Sequence, residues 1–321
     1  MKYNSTFGLV LTLAVALVSL SACDDEVRDP KEGAITFLVG GEAPAAGTPM
    51  PKIANESHIS LSAESMPLVE AGNAFSLKLF ETLLDKRASS ANLVLSPISI
   101  ETALGMNAVG LSDEAFDEYR SVLKLPATQS LATVARYYQQ LNAVMCSADE
   151  YACYFPSNSF WVSSKYQSHL IKSYPQQLFD FFGAPTATLD LSDPASYEAV
   201  NAWISRKTYG KIQRMLDPSH AGEQDPLAFL VNTAFFAAAW QWETSEERTQ
   251  AGKFTNSTGE EEPAMMMSIH NDTSIDYFAD DRFEALSVGL QASEELQKYG
   301  KTPFRMLLIL PKDRTLPLSQ S

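Results

Sequence analysis

The chain has 321 residues, with 45% hydrophobic and 20% charged residues, a globular balance that excludes an intrinsically disordered protein. Lys and Arg number 24 against 39 Asp and Glu, a net charge of −15. That acidity argues against nucleic acid as a partner, because phosphate contacts need clustered basic residues, and it fits a solubility role. The length suits one large domain or two ordinary ones.

Residues 1–22 read as a leader. Lys2 supplies a short positive region, and 7–20 is an apolar core too short for a comfortable membrane span. It ends in Leu20-Ser21-Ala22-Cys23, which resembles a bacterial lipobox, so Cys23 is the expected lipidation site and new N-terminus; an ordinary secretory signal cut after Ala22 is the alternative. The acidic run Asp24-Asp25-Glu26 resembles a surface-export signal in some bacterial groups and a retention signal in others, and both stay open. The expected location is the cell envelope, the outer surface or the extracellular space, with the membrane reached through lipid on Cys23. In an oxidising compartment Cys146 and Cys153 read as a disulfide around a small loop, worth roughly 2–3 kcal/mol.

Residues 23–56 read as an acidic and Pro/Gly-rich tether, with one β-like piece, 34–39, able to pair with a sheet edge. Residues 57–321 carry globular patterning. A helix is expected over 73–84, then a short buried strand over 92–95, then a helix from Pro97 to about Val109 with Ser96 as its N-cap. Gly105 is small enough for close approach of another element. Further helices are expected over 133–145 and 167–182, the latter broken or restarted at Pro175. Strands are expected over 155–162 and 187–191. Asp193-Pro194 opens a helix over 195–209 that Gly210 ends.

The apolar stretch 227–242, L-A-F-L-V-N-T-A-F-F-A-A-A-W-Q-W, is central. Aromatic and β-branched residues favour a strand buried on both faces, while Ala237-Ala238-Ala239 favours a helix. Its lone amide, Asn232, needs a partner from elsewhere in the chain, since an unpaired buried amide costs about 1–3 kcal/mol. After a charged loop at 260–262 come Met265-Met266-Met267, expected to pack inside, and strand-like runs over 275–278, 285–290 and 304–310. The order is mixed α+β rather than regular β-α-β alternation.

No catalytic constellation is evident. There is no G-x-S-x-G elbow, no C-x-x-C or H-E-x-x-H, and no Gly-rich phosphate loop. His58, His169, His220 and His270 read as surface residues, and Asp280-Asp281 as a turn. Neither a cofactor nor a metal is expected, nor enzyme activity.

Five blocks in order resemble the serpin family of metastable serine protease inhibitors. They are N-L-V-L-S-P-I-S-I-E-T-A-L-G-M-N-A-V-G at 92–110, N-A-W-I at 201–204 with T-Y-G-K-I at 208–212, L-V-N-T-A-F-F at 230–236 with Trp240, P-A-M-M-M at 263–267, and M-L-L-I-L-P at 306–311. The resemblance implies a serpin fold: a helix-rich N-terminal part, a large mixed sheet A and a sheet B. It implies a shutter-like cluster of Ser96, Ser99 and Asn232, and a breach-like position for Trp240. It also implies suicide-substrate inhibition of a serine or cysteine protease by insertion of a cleaved reactive loop into sheet A. The family's C-terminal strands and reactive loop have no match up to Ser321. The expectation is therefore an incomplete serpin, inactive as given and a monomer if complete, with a non-inhibitory surface lipoprotein of serpin-derived fold as the alternative. Residues 57–321 alone are expected to fold poorly, with open apolar sheet edges.

Overall fold

The computed structural model describes residues 13–14, 35–40, 61–86, 93–146, 149, 151–223, 225–241, 247, 249–256, 259–267, 275–298 and 304–313. His58, His270 and the Pro-rich run 41–51 lie outside them.

Two short strands precede the helices: β1 (Leu13–Ala14) and β2 (Thr36–Val39). The helix expected over 73–84 begins earlier, as α1 (Met66–Lys86). Residues 93–96 are not a strand but an extended lead-in to α2 (Pro97–Ala108). Among the described residues these four pair with no neighbour, and so lack the ladder a strand needs. Ser96 occupies the N-cap position, yet its side chain bonds no backbone N–H; its Oγ lies 2.9 Å from Ser99 Oγ instead. Gly105 permits the expected close approach: a Cβ there would stand 2.6 Å from Tyr138 Cε2.

A helix absent from the sequence reading follows, α3 (Asp113–Val122), capped by Ser112 and opened by Asp113 and Glu114, which favour a helix N-terminus. Then come α4 (Leu131–Cys146) and β3 (Ala152–Ser163). Instead of one helix over 167–182, a 3₁₀ segment at Ser164–His169 precedes α5 (Tyr174–Phe182), which restarts with Pro175 in its first turn as expected. β4 (Thr186–Leu189) leads to α6 (Pro194–Lys207). Asp193 caps α6, its Oδ1 accepting from the Ala195 N–H at 2.9 Å, a bond worth about 1 kcal/mol.

The central stretch is a strand, β5 (Ala228–Ala238). β6 (Thr249–Thr255) and β7 (Glu261–Met267) form a hairpin, so Glu261 and Glu262 stand in a strand rather than a loop. β8 (Ile275–Ala279), β9 (Phe283–Gly289) and β10 (Arg305–Pro311) form a three-stranded antiparallel sheet, with the short α7 (Glu294–Lys298) between the last two. Asp280 makes the expected turn before β9, accepting from the Arg282 and Phe283 N–H groups.

The main sheet runs β1-β5-β3-β4-β2. Its pleat sorts two cores. Phe160, Val162 and Leu230 face a cluster under α1 to α5 that includes Met106, Tyr138, Leu178 and Phe182. Trp161, Phe229 and Val231 face a second cluster under α6 with Val200, Trp203 and Ile204. Trp161 and Trp203 meet edge-on at 5.5 Å between ring centres. Asn201 fixes the chain leaving α6: its Oδ1 accepts from the Met215 and Leu216 N–H groups and its Nδ2 donates to the Leu216 carbonyl. Three bonds from one buried amide, with both acceptor positions of its oxygen filled, lock that turn to the helix.

Candidate functional site: the middle and outer edge of β5

β3 and β5 pair antiparallel from Ala152 opposite Ala238 to Val162 opposite Ala228. Midway, Asn158 stands directly across from Asn232. Both are buried on the face toward α2 and α5. Asn232 Nδ2 donates to Asn158 Oδ1 at 2.6 Å, and Asn158 Nδ2 donates to the Phe182 carbonyl at the end of α5, at 2.8 Å. Asn232 Oδ1 is left without a hydrogen bond. Ser157, Ser159 and Thr233 are buried beside them, so a polar seam crosses the middle of an otherwise apolar ladder.

The seam gives Asn232 a partner that the expected cluster did not include. The structure brings Ser96 and Ser99 together, but Asn232 bonds Asn158 and neither serine. Geometry gives the reason. A cross-strand neighbour lies within reach of a short amide, whereas the serines sit at the start of α2, where Ser96 is exposed. Ser99 lies beside the Tyr154 phenol, whose burial pushes its pKa up to about 12 against the hydroxyl's opposing effect. Asn158 escaped the sequence reading. Its signal was there in F-P-S-N-S-F, an amide at the same depth in one apolar strand as Asn232 in the next.

The outer edge of β5 is the second part of the site. Among the described residues its ladder partner on that side is β1 alone, parallel, with Leu13 opposite Leu230 and Ala14 opposite Val231. Residues expected to lie outside the fold as a leader thus hold two positions on β5. An unpaired apolar edge takes whatever extended backbone is available, which accounts for the contact. Beyond β5, Trp240 is half-exposed and bridges to Leu290, and Gln291 N–H donates to the Ala239 carbonyl at 2.9 Å. Phe236 meets Phe304 edge-on at 5.0 Å. The top of β5 is therefore tied to the β8–β10 sheet.

Elsewhere, His169 and His220 are exposed, as expected. Met265, Met266 and Met267 do not pack inside: they are 65%, 47% and 56% exposed on β7. A two-stranded hairpin covers neither of its own faces, so side chains on both sides meet solvent. Cys146 is a half-buried thiol closing α4, and Cys153 is the second residue of β3. Among the described residues no group of three or more His, Cys, Asp or Glu could hold a metal ion.

Comparison with known proteins places this architecture. The family profile described as "Serpin (serine protease inhibitor)" matches residues 70–321. The Drosophila melanogaster protein named serine protease inhibitor 42Dd is 31% identical over 199 residues, covering 62% of this chain and 52% of the relative. Human antithrombin-III is 27% identical over 261 residues, covering 76% and 51%. Among solved structures, an Arabidopsis serpin in its native stressed conformation aligns with a TM-score of 0.63 at 23% identity, covering 79% of this chain and 62% of that one. The thermophilic serpin tengpin aligns at 0.65 and 18% identity, covering 89% and 65%. The chain spans about half the length of the curated relatives it matches. With the profile match running over most of its length, this chain belongs to the serpin family.

Proposed function

We propose that the chain serves as the strand-accepting part of a suicide-substrate inhibitor of a serine or cysteine endopeptidase, held at the cell envelope by lipid on Cys23. The observation that carries this is β5 itself, with a buried polar seam at its middle and an outer edge that, among the described residues, pairs only with two residues of the expected leader. Removal of residues 1–22 would open that edge. An incoming strand would then complete its backbone hydrogen bonds. The Asn232 Oδ1, lacking a donor, would gain from any donor the new strand brought. In this scheme the protease cleaves a bait loop and forms an acyl-enzyme on its own nucleophile, and strand insertion traps it. Relatives carrying inhibitor names, antithrombin-III and alpha-1-antichymotrypsin, support the reading.

The test is a denaturing gel after incubation with a panel of serine and cysteine endopeptidases. A fragment of residues 23–321 by itself should form no stable adduct. Co-expressed with a polypeptide that supplies the bait loop and the inserting strand, it should form one. No adduct in either sample would favour a non-inhibitory binding protein.

A further inference from the structure

The strand β2 lies within the segment read as a tether, yet it is seated on the body. It pairs antiparallel with the free side of β4, Thr36 opposite Thr188, Phe37 opposite Ala187 and Val39 opposite Thr186, with a bulge between Phe37 and Val39. Ile35 and Phe37 pack against the core cluster under α6, and the Phe37 ring lies 6.2 Å from that of the buried Trp161. Leu38, between Phe37 and Val39, is exposed, as the alternation of a strand on a half-buried edge requires. The exit from the seat is also fitted. Gly40 has φ +92°, and a Cβ there would stand 2.6 Å from Pro185 Cβ and 3.1 Å from the Phe179 ring. Only glycine takes that backbone conformation without strain and passes that close. Two independent features, an apolar anchor and a glycine exit, therefore suit 35–40 to this edge.

We propose that residues 35–40 form an intramolecular strap that fixes how far the serpin body stands from the membrane, a proposal that rests on the anchoring of Cys23 given above. With the strap seated, the covalent path from Cys23 to the body ends at Ile35, and its full reach is roughly 40 Å at about 3.3–3.6 Å per residue. Released, the path runs to Leu61, with a reach of roughly 130 Å. The strap also covers the β4 edge, which would otherwise offer unpaired backbone to other chains.

The test uses the full lipidated chain in phosphatidylglycerol/phosphatidylethanolamine vesicles, its intact mass first read for the lipid on Cys23. Phe37→Asp removes the anchor, and Gly40→Val blocks the exit without touching the buried ring. In both variants, amides of β4 that face β2 should exchange at least about tenfold faster, while those of β3 keep their protection. Energy transfer from a dye on the body to acceptor lipids should fall at least about twofold. Unchanged β4 protection in both variants overturns the strap. Lost protection with unchanged transfer overturns the control of distance, as does a wild-type dimer in which the segment crosses to a second copy. A chain without lipid on Cys23 would sink the anchoring reading and the distance control with it, and the exchange arm would still decide the strap.

Discussion

Replacing Asn158 by Ala separates the seam described above from the one expected from Ser96 and Ser99. The substitution strips the Asn232 Nδ2 of its acceptor and the Phe182 carbonyl of its side-chain donor, both in buried surroundings. At about 1–3 kcal/mol for each group left unpaired, a loss of about 3 kcal/mol is expected locally. Asn232→Ala differs in a useful way. It leaves only Asn158 Oδ1 without its donor, and it removes the Asn232 Oδ1 that already lacks a partner. Its cost should be about 1 kcal/mol. Native-state amide exchange of Val231–Thr233 reads both directly. Protection should fall roughly a hundredfold in Asn158→Ala and about fivefold in Asn232→Ala, taking 1.4 kcal/mol per tenfold. The double change to Leu replaces both amides by apolar groups and should come back close to wild type. If Asn158→Ala cost no more than Asn232→Ala, or if Ser99→Ala matched either of them, the seam would not be organised as described.

Three other outcomes follow from particular residues. Burial pushes the Glu101 carboxyl above its ordinary range, with the Ser76 hydroxyl at 3.0 Å opposing. A carboxyl whose folded pKa is raised contributes stability that is full below its unfolded value near 4.3 and is lost as pH rises through the folded value. Glu101→Gln should therefore raise the melting temperature at pH 7, by roughly 2–4 °C per kcal/mol relieved, and the gain should vanish below about pH 4; a gain that persisted at pH 3.5 would count against the burial argument. On β10, Leu307 and Ile309 are 61% and 58% exposed on one face of a three-stranded sheet. Leu307→Lys with Ile309→Lys should reduce self-association in sedimentation and lower binding of an apolar dye, and an unchanged sedimentation profile would refute the exposed face as its cause. Finally, the Cys146–Cys153 bridge is proposed for the oxidised protein; a chain purified from an oxidising compartment should weigh 2 Da less than its reduced form, and equal masses would reject it.

The elements legible in the sequence were those whose ends carry their own signals. Asp193-Pro194 and Gly210 bracket α6 because capping and chain reversal are decided within a few residues. Pro175 restarts a helix for an equally local reason. The identity of β5 as a strand follows from its aromatic and β-branched content, which outweighed three alanines. What the sequence hid depended on partners. α3 has few apolar residues, of which Phe116 and Tyr119 are buried, so its cap was the stronger clue. Residues 93–95 have strand-like composition but no ladder partner among the described residues. The methionines of β7 read as core residues, yet exposure is set by what covers a sheet, which no local pattern records. The partner of Asn232 likewise depended on the β3–β5 register, and that is fixed over a sequence separation of 74 residues. The β-like piece at 34–39 was legible, and its edge turned out to be β4.

The central claim is that β5 offers its outer edge to an incoming strand. It is tested most directly by giving the leader-free chain a synthetic ten-residue peptide of alternating Thr and Ala, carrying a photoreactive group at its centre. Cross-links mapped by mass spectrometry should fall on Leu230–Thr233, with unlabelled peptide competing them away. Cross-links confined to β4 or β10, or labelling that unlabelled peptide cannot compete, would contradict the account.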